Sequence, residues 1–316
     1  MNKEYENTGD ESMQEHLPVD RNGMNEEQFL KQYDVSQYDR PSLTVDMLIF
    51  TVADKEQNNY RKLPEKSLQL LLIKRGEHPF LGQWALPGGF VGMNEDLDSA
   101  ARRELKSETN LDDDQLHLEQ LYTWGEVGRD PRTRVISCSY MALVDRSALQ
   151  VQAGDDAAEA CWFDLTHRIV HEQKTTLKDG YTLERLVELC LTHGEVTLSA
   201  QVKVVQRISG KSNTVTREIV ASNQLAFDHA RIIQYAVDRL RNKVQYTSIA
   251  FNLMPPLFTL TELQQVYEVL LGKELLAPAF RRKIADMVEE STEYRKDAGH
   301  RPSKLFSYRP FDDNRE

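Results

Sequence analysis

The sequence predicts an α/β domain followed by a smaller C-terminal helix-turn-helix domain that carries a wing. Three observations lead there. Strand-length apolar runs separated by polar turns begin at Ser42; an acidic helix follows a glycine turn; and the C-terminal region holds helix, turn, basic helix and basic hairpin in that order.

Composition sets the frame. At 316 residues the chain has room for one large domain or two ordinary ones, and 40% hydrophobic with 28% charged residues suits a folded, soluble protein. No run of about 18 apolar residues is present, so no membrane span is expected. The opening MNKEYENTGDESMQ is acidic and polar, unlike a signal peptide, and a cytoplasmic location is expected. Cys138, Cys161 and Cys190 lie far apart without C-x-x-C spacing and read as core or near-surface thiols in a reducing compartment. A net charge of -11 argues against indiscriminate coating of nucleic acid but leaves room for a local basic patch.

Residues 1–40 hold ten acids against four bases without periodicity and are expected to lack order; Met24 opens a second start-like segment. TVDMLIFTV (44–52) and LQLLLIKR (68–75) read as strands around a polar loop, and WALPGGFV (84–91) as a turn. Asp96–Thr109 reads as a helix with Leu97, Ala100, Ala101 and Leu105 on one side. Strands are expected at 118–125, 134–144 and 160–165. The stretch 166–222 reads as an insertion or connecting subdomain, with a helix at Tyr181–Leu191 and a hairpin from 196–209 and 213–222. Ala226–Leu240 is an amphipathic helix. The boundary is placed so that one domain covers 41–242 and the second 243–316.

The chemistry concentrates in GFVGMNEDLDSAARRELKSETNL, 89–111. Glu104 and Glu108, four apart, share one helix face, and Glu95 approaches through the turn. Converging carboxylates repel unless a hard cation sits among them, and oxygen ligation of this kind suits Mg²⁺ bridging to phosphates. Gly88 and Gly89 permit close backbone approach, and Arg103 stands ready to orient the glutamates. An isolated E-x-x-x-E pair is usually a solvated helix face; the whole arrangement is more specific. It resembles the Nudix signature, with Gly89, Glu95, Arg103, Glu104, Leu105, Glu108 and Leu111 at the matching spacing. Ser107 stands where that pattern has the first of two glutamates, and Asn110 where it has glycine. The resemblance implies an α/β/α sandwich around a mixed sheet, metal ligation by Gly89, Glu104 and Glu108, and catalytic carboxylates at Glu104 and Glu108. It also implies a late acidic loop, where Asp156 and Glu159 are candidates beside Asp155; an exposed acidic turn is the competing reading.

GEVGRDPRTR (125–134) supplies Arg129, Arg132 and Arg134, whose guanidinium forks can hold a diphosphate, or which simply decorate a surface turn. Arg75, Gly88 and Gly89 complete the ligand candidates. The segment is similar to those of Nudix domains that handle ADP-ribose or related dinucleotides. Phe80 and Trp84 either stack on a base or pack beneath the glycine turn, with packing the stronger reading for Trp84.

In the C-terminal region, LTELQQVYEVLLG (260–272) and Ala277–Glu289 read as two helices, the second carrying Arg281, Arg282 and Lys283 towards a major groove. The tail adds Arg295, Lys296, Arg301, Lys304 and Arg309 around a turn-like GHRPS, as a wing contacting phosphates would. A solvated helical extension or dimerisation module is the plainer alternative. Together the halves resemble the NrtR group of Nudix-related transcriptional regulators over about 42–165 and 224–310. That resemblance implies a homodimer with winged helix-turn-helix domains, a palindromic operator in double-stranded DNA, ADP-ribose or a related nucleotide as effector, and a role in NAD metabolism. The alternative is a Mg²⁺-dependent hydrolase of ADP-ribose-like diphosphates, and the two activities can coexist.

Overall fold

The computed structural model describes residues 18–55, 64–109, 116–146, 157–295 and 302–310. The chain divides into two units, 1–40 and 41–316. In the first, Glu26–Gln32 form a short helix (α1) inside the segment expected to lack order. Asn25 caps it: its side chain accepts from the Gln28 amide while the Gln28 side chain accepts from the Asn25 amide. This reciprocal cap supports a helix that buries no residue.

The second unit begins with β1 (Ser42–Asp54), β2 (Lys66–Arg75), β3 (Trp84–Ala85), β4 (Gly88–Phe90) and α2 (Leu97–Thr109). It continues through β5 (His117–Trp124), β6 (Val135–Leu143), β7 (Ala157–Leu177), β8 (Gly180–His193), β9 (Val196–Ser209), β10 (Ser212–Asn223) and α3 (His229–Lys243). Among the described residues these strands form one sheet in the order β10-β9-β8-β7-β2-β1-β6-β5, with β3 on β2 and β4 on β1. β1 runs parallel to β6 and antiparallel to β2, so the sheet is mixed.

The apolar run of β1 explains its central place, since a strand covered on both faces needs hydrophobic residues at consecutive positions. Val45, Met47 and Ile49 join Ala100, Ala101 and Leu105 of α2 in one cluster. Leu48, Phe50 and Val52 join Ile232, Ile233 and Ala236 of α3 in the other. Burying each such large aliphatic side chain contributes about 1.5–3 kcal/mol. The expected α/β/α sandwich is present.

The stretch 166–222 is an antiparallel meander that widens this sheet. The hairpin of β9 and β10 is as the sequence indicates, turning at Gly210–Lys211. The helix expected at Tyr181–Leu191 is instead strand β8, paired with β7 on one side and β9 on the other. Its buried residues, Val187, Leu189 and Leu191, alternate as a strand requires.

After α3 come α4 (Leu260–Leu271), α5 (Ala277–Ile284), β11 (Val288–Arg295) and β12 (Ser303–Tyr308). Thr259 and Glu262 form a capping box at the start of α4. The second helix, expected to reach Glu289, stops at Ile284; the following residues make a tight turn and enter β11, the first strand of the wing. Leu263, Val266, Tyr267 and Leu270 of α4 lie in the same apolar cluster as Leu70 and Leu72 of β2, and Gln265 donates to the Pro64 carbonyl at 3.0 Å.

Candidate functional site

The site forms where β4, α2, the 125–134 loop and the start of α3 meet. A cavity of about 350 Å³ opens there, lined among others by Arg75, Gly88, Gly89, Glu104, Arg129 and Arg132.

Gly89 pairs with Val45 on β1, facing α2. A Cβ at this position would lie 2.3 Å from Glu104 Oε1, so the bare glycine backbone is what admits the carboxylate. Arg103 fixes the acids around it. Its Nη1 donates to Glu104 Oε1 at 2.5 Å, its Nη2 to Glu95 Oε1 at 2.7 Å and its Nε to Glu95 Oε2 at 3.1 Å. Its Nη2 also reaches the Phe90 carbonyl. The bonds from Arg103 and the Gly92 amide hold the Glu95 carboxyl down at about 2. Glu104 and Glu108 are buried on the inner side of α2, whereas Ser107 is exposed. Burial, and then the Glu104 charge, push the Glu108 carboxyl up to about 7. Glu108 Oε2 is buried without a hydrogen-bond partner among the described residues.

No group of three or more His, Cys, Asp and Glu side chains is clustered for metal binding among the described residues. Two buried carboxylates beside a glycine backbone, one with an orphaned oxygen, nevertheless suit a cation that keeps waters and bridges to phosphate, as Mg²⁺ does. The residues present fit that ion.

The arginines divide by role. Arg129 is buried and donates to Asp228 (2.8 and 3.2 Å) and to Asp46 (3.3 Å), which also accepts from Ser137 at 2.5 Å. Burial opposes ionisation of Asp228, but the bonds from Arg129 and Arg231 keep its carboxyl below the ordinary range. Arg132 forks onto Asp130 (2.7 and 3.0 Å) and lies over the Phe90 ring. Arg134 points elsewhere: it bonds the carbonyls of Gly125, Glu126 and Val135 and braces the loop, and it does not line the cavity. Arg75 donates to the Pro79 carbonyl at 2.6 Å and stands over the Phe227 ring at 5.0 Å.

Glu159 lies on β7 beside Lys74 at 3.7 Å and does not line the cavity; Asp155 and Asp156 fall outside the described residues. Trp84 is core, edge-on to Phe163, while Phe80 contacts Phe227 at 4.6 Å.

Sequence reasoning missed Asp46, Phe227, Asp228 and His229. His229 is fully buried, and its Nδ1 accepts from the Leu86 amide at 2.9 Å. The ring is therefore neutral with its proton on Nε2, which faces Asp46 at 3.8 Å. Burial likewise depresses its pKa. Asp228, His229 and Arg231 are three polar residues buried at the opening of an amphipathic helix, where its exposed face would normally carry them. Phe227, with φ 52°, and Phe80, with φ 64°, are two non-glycine residues in left-handed conformation whose rings touch, Phe227 lining the cavity and Phe80 packing against it. Such strain gathers at functional sites.

The C-terminal candidates also divide. Arg281 and Arg282 are exposed on α5 without an ion-pair partner among the described residues. Lys283 turns over the Tyr267 ring at 5.2 Å, and burial lowers its pKa. Arg295 pairs with Glu262 and Lys304 with Glu290. Lys296 and Arg301 fall outside the described residues. The wing's first strand is acidic, with Glu289, Glu290 and Glu293, so the hairpin is less basic than its tail composition indicates.

Comparison with known proteins agrees with both halves. A family profile described as the NrtR DNA-binding winged helix domain matches residues 250–308, and one described as the NUDIX domain matches 62–186. The chain is 36% identical over 290 residues to the ADPR responsive transcriptional repressor NtrR of Acinetobacter baylyi, covering 91% of this chain and 90% of that protein. Its fold is similar to a MutT/nudix family protein from Enterococcus faecalis, with 29% identity, 89% and 91% of the two chains covered and a TM-score of 0.63. It is similar also to Shewanella oneidensis NrtR complexed with a 27mer DNA, with 28% identity, coverage of 84% and 93% and a TM-score of 0.55.

Proposed function

Because the chain belongs to the NrtR family, in which a Nudix domain is joined to a C-terminal DNA-binding winged helix, we propose that it is a transcriptional regulator whose DNA affinity is set by ADP-ribose or a related nucleotide diphosphate. The observation that carries this reading is the placement of both sites in one folded unit. An arginine- and carboxylate-lined cavity lies at the start of α3, and α5 presents Arg281 and Arg282 to solvent. The similarity to a repressor named as ADPR responsive supports ADP-ribose as effector and NAD-related metabolism as the regulated process. Mg²⁺, held by Glu104, Glu108 and the Gly89 carbonyl, would supply charge neutralisation for the diphosphate. Arg75 and Arg132 orient it, and Arg129 does so by exchanging a carboxylate partner for a phosphate. The protein acts as a homodimer on a palindromic site, one α5 entering the major groove of each half.

The test is a titration of double-stranded DNA from the protein's own upstream regions with and without ADP-ribose and Mg²⁺, with AMP release followed in the same samples. Sequence-selective binding that shifts with nucleotide is the expected result; no selective binding would sink the proposal. One observation favours a second activity. The orphaned, buried Glu108 carboxylate beside Glu104 is the arrangement a metal-dependent diphosphate hydrolase needs. Turnover lost in Glu104→Gln and Glu108→Gln would establish it, and absence of turnover at high protein concentration would leave a sensing cavity alone.

A further inference from the structure

Helix α3 touches both halves of the molecule. Asp228, immediately before it, ion-pairs with Arg129 in the cavity wall and with Arg231 at 2.6 Å. In its last turn Arg241 donates through Nη1 to His167 Nδ1 at 2.7 Å and through Nη2 to the His167 carbonyl at 3.2 Å, which ties it to β7. The same guanidinium lies against Gly272, the residue that ends α4 with φ 67°. A Cβ on Gly272 would come within 2.7 Å of Arg241 Nη2, so only glycine both allows this backbone and admits the cation. The C-terminal end of a helix carries partial negative charge, and a cation seated there is favourable.

From that point the helix-turn-helix is stiff. Glu268 Oε1 accepts from the Leu275 amide at 2.8 Å and from Gln264 Nε2 at 2.9 Å, and Gln264 Nε2 also donates to the Leu275 carbonyl. Tyr267 of α4 meets Phe280 of α5 edge-on at 5.2 Å. A displacement at the end of α4 is therefore passed to the turn and to α5.

We propose that Arg241 is the positioning residue that transmits occupancy of the cavity to the helix-turn-helix, by clamping the last turn of α3 to the last turn of α4. The proposal rests on the regulatory reading above. A diphosphate in the cavity competes with Asp46 and Asp228 for Arg129. Asp228 then loses one of its two cations, and the start of α3, still held by the Leu86 amide at His229, shifts against the cavity wall. Because α3 is anchored at its far end through Arg241, its movement reaches α4, the turn and α5 as one body. Arg241 lies outside the cavity lining and off α5, so its loss should separate the two binding events without abolishing either.

The experiment measures affinity for a duplex selected by the full-length protein from a randomised pool, with and without saturating ADP-ribose. It is run on wild type, Arg241→Met and Gly272→Ala, after melting curves confirm that each variant is folded. The wild type should show a ratio of roughly tenfold between the two conditions, within the usual range for linked sites. Both variants should bring that ratio close to one, while ADP-ribose affinity and nucleotide-free duplex affinity stay within about threefold of wild type, a small change on the same scale. Arg241→Lys should restore part of the ratio, because the charge at the helix end returns without the fork. A wild-type ratio that survives intact in the folded variants overturns this inference and leaves the regulatory reading standing. A wild-type ratio of one overturns the regulatory reading itself, and this inference with it.

Discussion

Gly89 shows how a single missing methyl group separates folding from binding. The atom a Cβ would strike is the tip of the Glu104 side chain, a group that can swing aside. Gly89→Ala should therefore lower the melting temperature only slightly, at a cost of about 1 kcal/mol. It should weaken Mg²⁺-dependent ADP-ribose binding by tenfold or more, equivalent to about 1.4 kcal/mol, because Glu104 no longer sits beside Arg103 and the backbone. Isothermal titration at matched Mg²⁺ checks this, and unchanged affinity would show that the close approach is dispensable. Gly89, Arg103, Glu104 and Glu108 were legible in the sequence because their spacing is local: one turn and one helix face bring them together. Asp46, Phe227 and His229 were not, since they come from β1 and from the entry to α3 and meet only when the sheet is assembled. Arg134, Arg295 and Lys304 were readable as charges, but their partners at Gly125, Glu262 and Glu290 appear only in the fold.

At the scale of elements, α5 carries two exposed arginines, Arg281 and Arg282, without ion-pair partners among the described residues. Replacing Arg281 or Arg282 by Ala should weaken duplex binding and reduce the slope of log affinity against log salt by about one for each phosphate contact removed. A loss of selectivity with no change in slope would instead mark a base contact. The same changes at Arg295 or Lys304 should have smaller effects, since each already faces a glutamate. Strand β8 marks where pattern reading failed. In YTLERLVELCL, Leu183, Val187 and Cys190 recur at helical spacing while Val187, Leu189 and Leu191 alternate, so both periods are satisfied. The choice was made by neighbours distant in sequence, because β7 and β9 offer hydrogen-bonding edges on both sides. α2, α4 and the β9–β10 hairpin were legible for the opposite reason: their periods are single, and caps or turns mark their ends.

Taken as a whole, the molecule holds two buried histidines and a half-buried one whose titration opposes folding in mild acid. His117, His167 and His229 all lie below the ordinary imidazole value, burial being the first cause in each, and His167 is pushed down to about 4. Unfolded, each binds a proton near pH 6.5, whereas folded they remain neutral to lower pH. The unfolded state thus holds more protons in that window, and stability is lost as pH falls through it. Glu108 works in the other direction in metal-free protein, because the fold keeps its proton up to about pH 7. His167 and Glu108 are displaced by similar amounts in opposite senses, and His117 and His229 add to the histidine side, so the melting temperature in EDTA should fall from pH 6.5 towards about pH 5. A flat or rising profile would contradict the neutral state of these rings. The apolar cluster that runs from β1 and β2 through α3 into α4 has a further consequence, for protein engineering. The two halves are not interchangeable cassettes. A chimera that joins this Nudix half to another relative's winged helix must carry over the sheet residues beside α4, Val52 and Lys66 among them, together with Pro64 opposite Gln265. A junction drawn only at the linker after α3 would leave mismatched apolar surfaces facing each other, and the hybrid would be selected against at the level of folding before its specificity could be read.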